Sequence, residues 1–334
     1  MKFFDAHCDT AKKVLDGGAD FFDPAGGGHV SLPGMLEAGL RGQIFAVFVL
    51  SRNHPGEERA RAEEMISAVY RLAEESQGRL EVVTTSEGLR KSFSGGPIAA
   101  LIGLEGADPL EGEAENLRYF FQLGVRNLIP AWLDDPFSGT AFGSDRFLTP
   151  EGEKLVQLAE ELGVMVDVSH LSDPAFWRTL EVTEKPLIAS HSNCRALCPS
   201  PRNLADDMIR ALADRGGVMG INLSPSFLDP EYHQRTRPLV KKFLQPELPE
   251  ELQRIPRPEP EWIVRHVLHA IKVGGEDVIG LGGDLDGISS TPRGIETVAD
   301  YALLLERAGL APCQVEKVCY RNFLRIFSEV LPER

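Results

Sequence analysis

Cysteine is scarce in this chain: 334 residues carry five, at positions 8, 194, 198, 313 and 319. That odd, scattered set offers no disulfide framework and reads as ordinary thiols in a reducing compartment. Cys194 and Cys198 have no second Cys/His pair at zinc-finger spacing to complete a structural site. No apolar run is long enough to span a bilayer. The opening MKFF runs into a strand-like segment rather than a charged leader and cleavage site. The expectation is therefore a cytoplasmic protein with no membrane anchor. Lys/Arg-rich runs are also missing, and the net charge is −15. That argues against a nucleic-acid or anionic-membrane surface. There is no Gly/Ser linker, repeat or low-complexity tract, so residues 1–334 are expected to form a single domain.

What the chain does contain is a regular alternation. Hydrophobic residues make up 43% and charged residues 25%, the balance of an ordinary globular protein. Short, nearly continuous apolar runs lie at 2–6, 43–50, 98–104, 125–131, 164–169, 186–190, 217–222 and 278–283, as expected of strands buried on both faces. Helical patterns fall between them at 56–76, 149–162, 203–215 and 259–274. Thr149 can cap the second of these, with Pro150 in its first turn. Residues 295–329 read as two further helices broken near Gly309–Pro312. Strands alternating with helices in this way predict an α/β fold, a (β/α)8 TIM-like barrel. The irregular stretch 224–258, rich in proline and charge, is expected to form a lid-like insertion over the barrel mouth.

Barrel chemistry collects at the carboxyl ends of the strands, and the polar residues of this chain fall there. The first strand ends DAHCDT, where His7 and Asp9, two residues apart, face the same way and Cys8 faces the other. Later strands end in Glu105, His170, His191 and the pair Asp284 and Asp286. Burying Glu105 after AALIGL without a cation or hydrogen-bond partner would be costly. Together these residues supply two His/carboxylate groups bridged by a third carboxylate, an arrangement that holds two divalent ions ~3.5–4 Å apart. Imidazole and carboxylate ligands favour zinc, with manganese, iron or cobalt as alternatives. His266 and His269, at i and i+3 on a helix, read as packing residues away from the strand ends.

The segments DAHCDT, GLEGAD, VDVSHLSD, ASHSNCRALCPSPRNLADD and GLGGDLDG, in that order, resemble the renal (membrane) dipeptidase family, a metallopeptidase branch of the amidohydrolase superfamily. The resemblance runs over nearly the whole chain. It implies that His7 and Asp9 bind one zinc, that His170 and His191 bind the other, and that Glu105 bridges them. It implies a substrate site in which Arg202 of the PRN segment, flanked by Asn203, holds the C-terminal carboxylate of a dipeptide; a planar guanidinium suits that task. It implies that Asp284 moves protons while a metal-bridged hydroxide attacks the peptide bond, with Asp286 as the rival assignment. L-D dipeptides are among the expected substrates, and a homodimer is expected. In the mammalian relatives the fourth barrel strand ends in a histidine that reaches toward the scissile carbonyl. Here Trp132 occupies that place, and its indole N–H is a donor only.

Two other superfamily branches fit less well. A phosphotriesterase-like site needs a bridging lysine on the fourth strand, and 125–132 has none. Deaminase-type sites begin His-x-His, not His-x-Asp. The alternatives that stay open are a sibling amidohydrolase acting on another amide, lactam or lactone, and a non-catalytic metal-binding protein.

Overall fold

The computed structural model describes residues 1–133, 136–237, 254–305 and 308–333. Its strands are β1 (Phe3–Cys8), β2 (Leu40–Phe48), β3 (Leu80–Val82), β4 (Ile98–Glu105), β5 (Val125–Ile129), β6 (Met165–Val166), β7 (Ile188–Ala189), β8 (Val218–Ile221) and β9 (Ile279–Leu281). Every pairing is parallel, and the order β6-β5-β4-β2-β1-β9-β8-β7 curls until β6 meets β7 through an Asp167–Ile188 bridge. The result is a nearly closed eight-stranded barrel with helices outside, as expected from the alternation. The ninth strand, β3, pairs only with the start of β4, at Leu80–Ile98 to Val82–Ala100. It was not anticipated, because three residues with an exposed Glu81 make no apolar run.

Sequence composition explains the layers. β4, IAALIGLE, is buried along its whole length, as a strand between helices and barrel interior must be. The lower interior is filled by Phe4, Ile44, Leu101, Met165 and Ile188 and is plugged by the helix Asn322–Val330. Phe4 stacks on Phe323 and on Phe327, each at 5.4 Å. Gly280 admits the plug: a Cβ there would come within 2.5 Å of the Phe323 ring.

The expected helices form as Glu58–Glu75, Pro150–Leu162, Asp206–Asp214 and Glu261–Gly274. The second is capped as its sequence suggests, with Thr149 Oγ1 accepting from the Gly152 N–H at 3.1 Å and Pro150 at its start. The C-terminal region differs from the two-helix expectation. It has a 3-10 segment, Val298–Leu303, and then a helix Pro312–Glu316 that runs through a π turn, Lys317–Arg321, into the plug. In the lid-like stretch, Pro225–Leu228 and Pro230–Thr236 are short helices; its residues 238–253 lie outside the described residues. Among the described residues no helix is long and apolar enough to cross a membrane.

Candidate metal centre

The carboxyl ends of β1, β4, β6, β7 and β9 converge. β1 delivers His7, and the chain continues into Asp9. His7 Nε2 lies 3.6 Å from Asp9 Oδ2 and 3.3 Å from Glu105 Oε2. The other oxygen of Glu105, the last residue of β4, faces His170 Nε2 at 3.0 Å and His191 Nε2 at 3.7 Å. One carboxylate therefore stands between a His/Asp pair and a His/His pair. Cys8 points the other way, into the helix-facing core. All five expected ligands are brought together, and each is buried.

Several features fit this donor set to cations. The Nε2 atoms of His170 and His191 are 2.9 Å apart, aimed at one spot. Neither ring nitrogen of His7 has a hydrogen-bond partner. Three overlapping groups have donor atoms within 4.8 Å of one another: His7, Asp9 and Glu105; Glu105, His170 and His191; and His7, His191 and Asp284. Burial, followed by the nearby Arg202 charge, pushes His170 down to about 3. Burial and the His7 and Arg202 charges hold His191 well below its ordinary value. Both imidazoles are thus neutral, the form that binds a metal. Burial opposes a charge on His7 too, but Glu105 and Asp9 outweigh it and raise its pKa. Burial likewise opposes the Glu105 charge, and His7 and His170 overcome it, keeping the carboxyl ionised.

His191 is held by its chain neighbour. Ser190 Oγ lies 2.7 Å from His191 Nδ1, which leaves Nε2 to the centre. His170 sits at φ 71° and Asp284 at φ 57°. Left-handed backbone at non-glycine residues costs free energy and clusters at functional sites.

The geometry separates Asp284 from Asp286. The i, i+2 alternation does not apply, because both residues have positive φ, 57° and 68°. Asp284 turns toward His7 and His191, and Asn222 Nδ2 donates to its Oδ2 at 2.8 Å. Burial and the Asp9 and Glu105 charges, only partly offset by His7, push its carboxyl up to about 7. Asp286 turns away. Its oxygens accept from Thr10 Oγ1 at 2.7 Å, the His29 N–H at 2.6 Å and Lys13 Nζ at 3.2 Å.

Arg202 stands 3% exposed beside the centre. Its Nη1 donates to Ser192 Oγ at 2.8 Å, whereas Nε and Nη2 have no partner. Burial lowers it to about 10, so it remains charged at neutral pH. Asn203 differs from the expectation of a substrate contact. Its Nδ2 donates to the Cys198 and Phe227 carbonyls at 2.9 and 2.8 Å, and its Oδ1 accepts from the Asn193 N–H at 3.3 Å. Its amide is spent bracing the loop that carries Arg202. Trp132 follows β5 as a half-buried wall, 4.7 Å from Phe48 and 5.7 Å from His170 between ring centroids. His266 and His269 lie outside the site. His266 Nδ1 accepts from the Cys194 N–H at 3.0 Å and its Nε2 donates to the Leu228 carbonyl at 2.9 Å, while His269 pairs with Asp206 at 2.8 Å.

Sequence reasoning missed Asn222, Ser190 and Ser192. Asn222 ends the run VMGIN, so the strand-end rule that singled out the candidate ligands applies to it as well. The serines carried no such signal, since lone hydroxyls are common.

Comparison with known proteins follows the same lines. The sequence profile of the membrane dipeptidase family, peptidase family M19, matches residues 1–332. An uncharacterised protein encoded in the pqqA 5′ region of Klebsiella pneumoniae is 31% identical over 80% of this chain and 95% of its own length. Human Dipeptidase 3 is 30% identical over 91% of this chain, a stretch that makes up 59% of the human protein. A metallopeptidase from Rhodobacter sphaeroides, solved with a phosphinate mimic of the dipeptide L-Ala-D-Ala, superimposes with a TM-score of 0.86 at 25% identity, covering 99% of both chains. A second solved structure, the M19 metallopeptidase dipeptidase AC, gives 0.85 at 26% identity over 100% of this chain and 99% of that one.

Proposed function

The chain belongs to the membrane dipeptidase family of metallopeptidases, and from that premise we propose that it hydrolyses dipeptides at a centre of two divalent cations, zinc by preference. His7 and Asp9 would hold one cation, His170 and His191 the other, with the Glu105 carboxylate shared between them. The observation that carries the reading is the buried Arg202 beside this cluster, with Nε and Nη2 unpartnered. A free guanidinium edge next to a metal centre suits a small substrate that ends in a carboxylate. It also disfavours a lactone or neutral amide, which would leave that edge unpaired.

Two cations held there would supply a nucleophilic water at neutral pH and polarise the scissile carbonyl. The residues of the chain do the rest. Arg202 takes the substrate's free carboxylate and sets the register at two residues. Asp284, oriented by Asn222, accepts the proton released by the attacking water and passes it to the leaving amine. A carboxylate held there by Asn222, facing His7 and His191, is placed for both roles. Trp132 offers an apolar wall and one N–H donor beside His170, so it shapes the pocket without supplying an acid.

The phosphinate mimic bound by the Rhodobacter sphaeroides protein supports extending the substrate range to L-D dipeptides. The test is amino-acid release from a panel of L-L and L-D dipeptides by zinc-loaded protein, with a chelated sample alongside. Metal-dependent release is expected. Protein that binds two metals and releases nothing would move the assignment to a sibling amidohydrolase.

A further inference from the structure

Strand pairing is uneven around the barrel. β2 and β4 share seven register pairs, from Gly42–Ala99 to Phe48–Glu105. β1 and β9 share one, Asp5 with Leu281, and the chain beyond them adds a Cys8–Leu285 bridge. β6 and β7 meet through the isolated Asp167–Ile188 bridge. The β1/β9 and β6/β7 seams divide the barrel into an arc of five strands, β1, β2, β4, β5 and β6, and an arc of three, β7, β8 and β9. The candidate metal centre is divided the same way. His7, Asp9, Glu105 and His170 belong to the larger arc, and His191 and Asp284 to the smaller.

A buried aspartate that is not part of the ligand set lies on each seam. Asp5 and Asp167 are both 0% exposed. Asp5 Oδ1 accepts from the His7 N–H at 3.1 Å on one arc and from the Gly283 N–H at 2.9 Å on the other, and the Tyr301 hydroxyl donates to Oδ2. Asp167 Oδ1 accepts from the Ser169 N–H at 3.0 Å on one arc and from the Ser190 N–H at 3.0 Å on the other. Asn127 Nδ2 donates to its Oδ2 at 3.2 Å. The construction is the same twice. One oxygen bridges backbone N–H groups of both arcs, and a side chain holds the other oxygen. Each bridged N–H belongs to a site residue or to its chain neighbour: His7 and Gly283–Asp284 at one seam, Ser169–His170 and Ser190–His191 at the other.

We propose that Asp5 and Asp167 are positioning residues, two carboxylate clasps that hold the arcs in register and so set the distances between site residues across each seam, His7 to Asp284 at one and His170 to His191 at the other. The proposal rests on the metal-centre reading above. It makes the two halves of the centre separable. The Asp5 clasp fixes His7, a ligand of the first position, through its backbone N–H and against Asp284 across the seam, and the Asp167 clasp governs the distance between His170 and His191.

The test is chelator competition and absorption spectroscopy of the cobalt(II)-loaded full chain, with zinc in parallel. Asp5→Ala should weaken cobalt binding at the first position, and Asp167→Ala at the second, each by about tenfold or more, the usual cost of losing an outer-shell partner. Leu72→Ala, a buried position on the helix Glu58–Glu75, which packs on β2, β3 and β4 and not on the seam strands, should lower Tm and leave both affinities unchanged. Asp5→Asn and Asp167→Asn should keep affinities near wild type, because an amide oxygen can accept the same two N–H bonds. At position 167 a flipped Asn127 would offer its unpartnered Oδ1 to the new amide. If the alanine variants do not fold, Tyr301→Phe keeps the test alive: it should weaken the first position alone, and equal affinities at both would overturn the clasp. Alanine variants that fold with unchanged affinities overturn it as well and leave the metal-centre reading standing. Wild-type protein that takes up no metal overturns both.

Discussion

Removing the guanidinium at position 202 separates carboxylate recognition from the rest of the site. Arg202 is 3% exposed and uses Nη1 on Ser192, which leaves Nε and Nη2 for a ligand. Two hydrogen bonds from a charged donor are worth about 1.5–3 kcal/mol each, or about 3–6 kcal/mol together. At about 1.4 kcal/mol per factor of ten, Arg202→Ala should lower kcat/KM for a dipeptide by about 10²–10⁴, chiefly through KM. The assay compares each dipeptide with its C-terminal amide, which lacks the carboxylate. Wild type should discriminate strongly between the two, and Arg202→Ala should not. Arg202→Lys should fall between, since it keeps a charge but not the planar fork. An equal loss on acid and amide, or an unchanged KM, would refute the assignment.

Other outcomes follow from the same geometry. Asp284→Asn should retain both metals and lose about 10²–10⁴ in kcat, the usual worth of a positioned acid–base group. Asp286→Asn should lower Tm and keep most turnover, because Asp286 serves Thr10, Lys13 and His29 instead of the centre; the reverse result would exchange the two roles. His266 supplies a pH dependence of stability. Burial pushes it down to about 4, against 6.5 ordinarily. The unfolded chain therefore takes up a proton below pH ~6.5 that the native state refuses until about 4, and stability falls across that window by about 3 kcal/mol. Urea unfolding of metal-stripped protein from pH 7 to 4 should show a loss about 3 kcal/mol larger in wild type than in His266→Gln, because His170 and His191 add the same fall to both proteins; parallel curves would contradict it.

The fold and the polar cluster at its strand ends were legible because both rest on local pattern. Eight apolar runs predicted eight barrel strands, and polar residues at their carboxyl ends predicted the centre. The strands predicted at 164–169 and 186–190 shrink to Met165–Val166 and Ile188–Ala189. There the Asp167 carboxylate takes over N–H groups of Ser169 and Ser190 that a ladder would otherwise use. The DLD pair could not be resolved by alternation, since left-handed backbone at Asp284 and Asp286 breaks the period of two. Asn203 sits beside Arg202 in sequence but turns into the loop, a direction that depends on the Phe227 carbonyl far along the chain. Asp5 likewise draws its meaning from Gly283 and Tyr301, contacts that sequence spacing does not reveal.

The central claim is that Glu105 joins two cation positions in one centre, and it can be tested by counting metals. Wild-type protein and Glu105→Gln would be dialysed against zinc, and bound metal per chain measured together with dipeptide turnover. The account predicts two zinc ions and turnover in wild type, and at most one ion with turnover lost in Glu105→Gln, because an amide cannot bridge as a charged carboxylate does. Two ions in both proteins with similar turnover, or none in wild type, would contradict it.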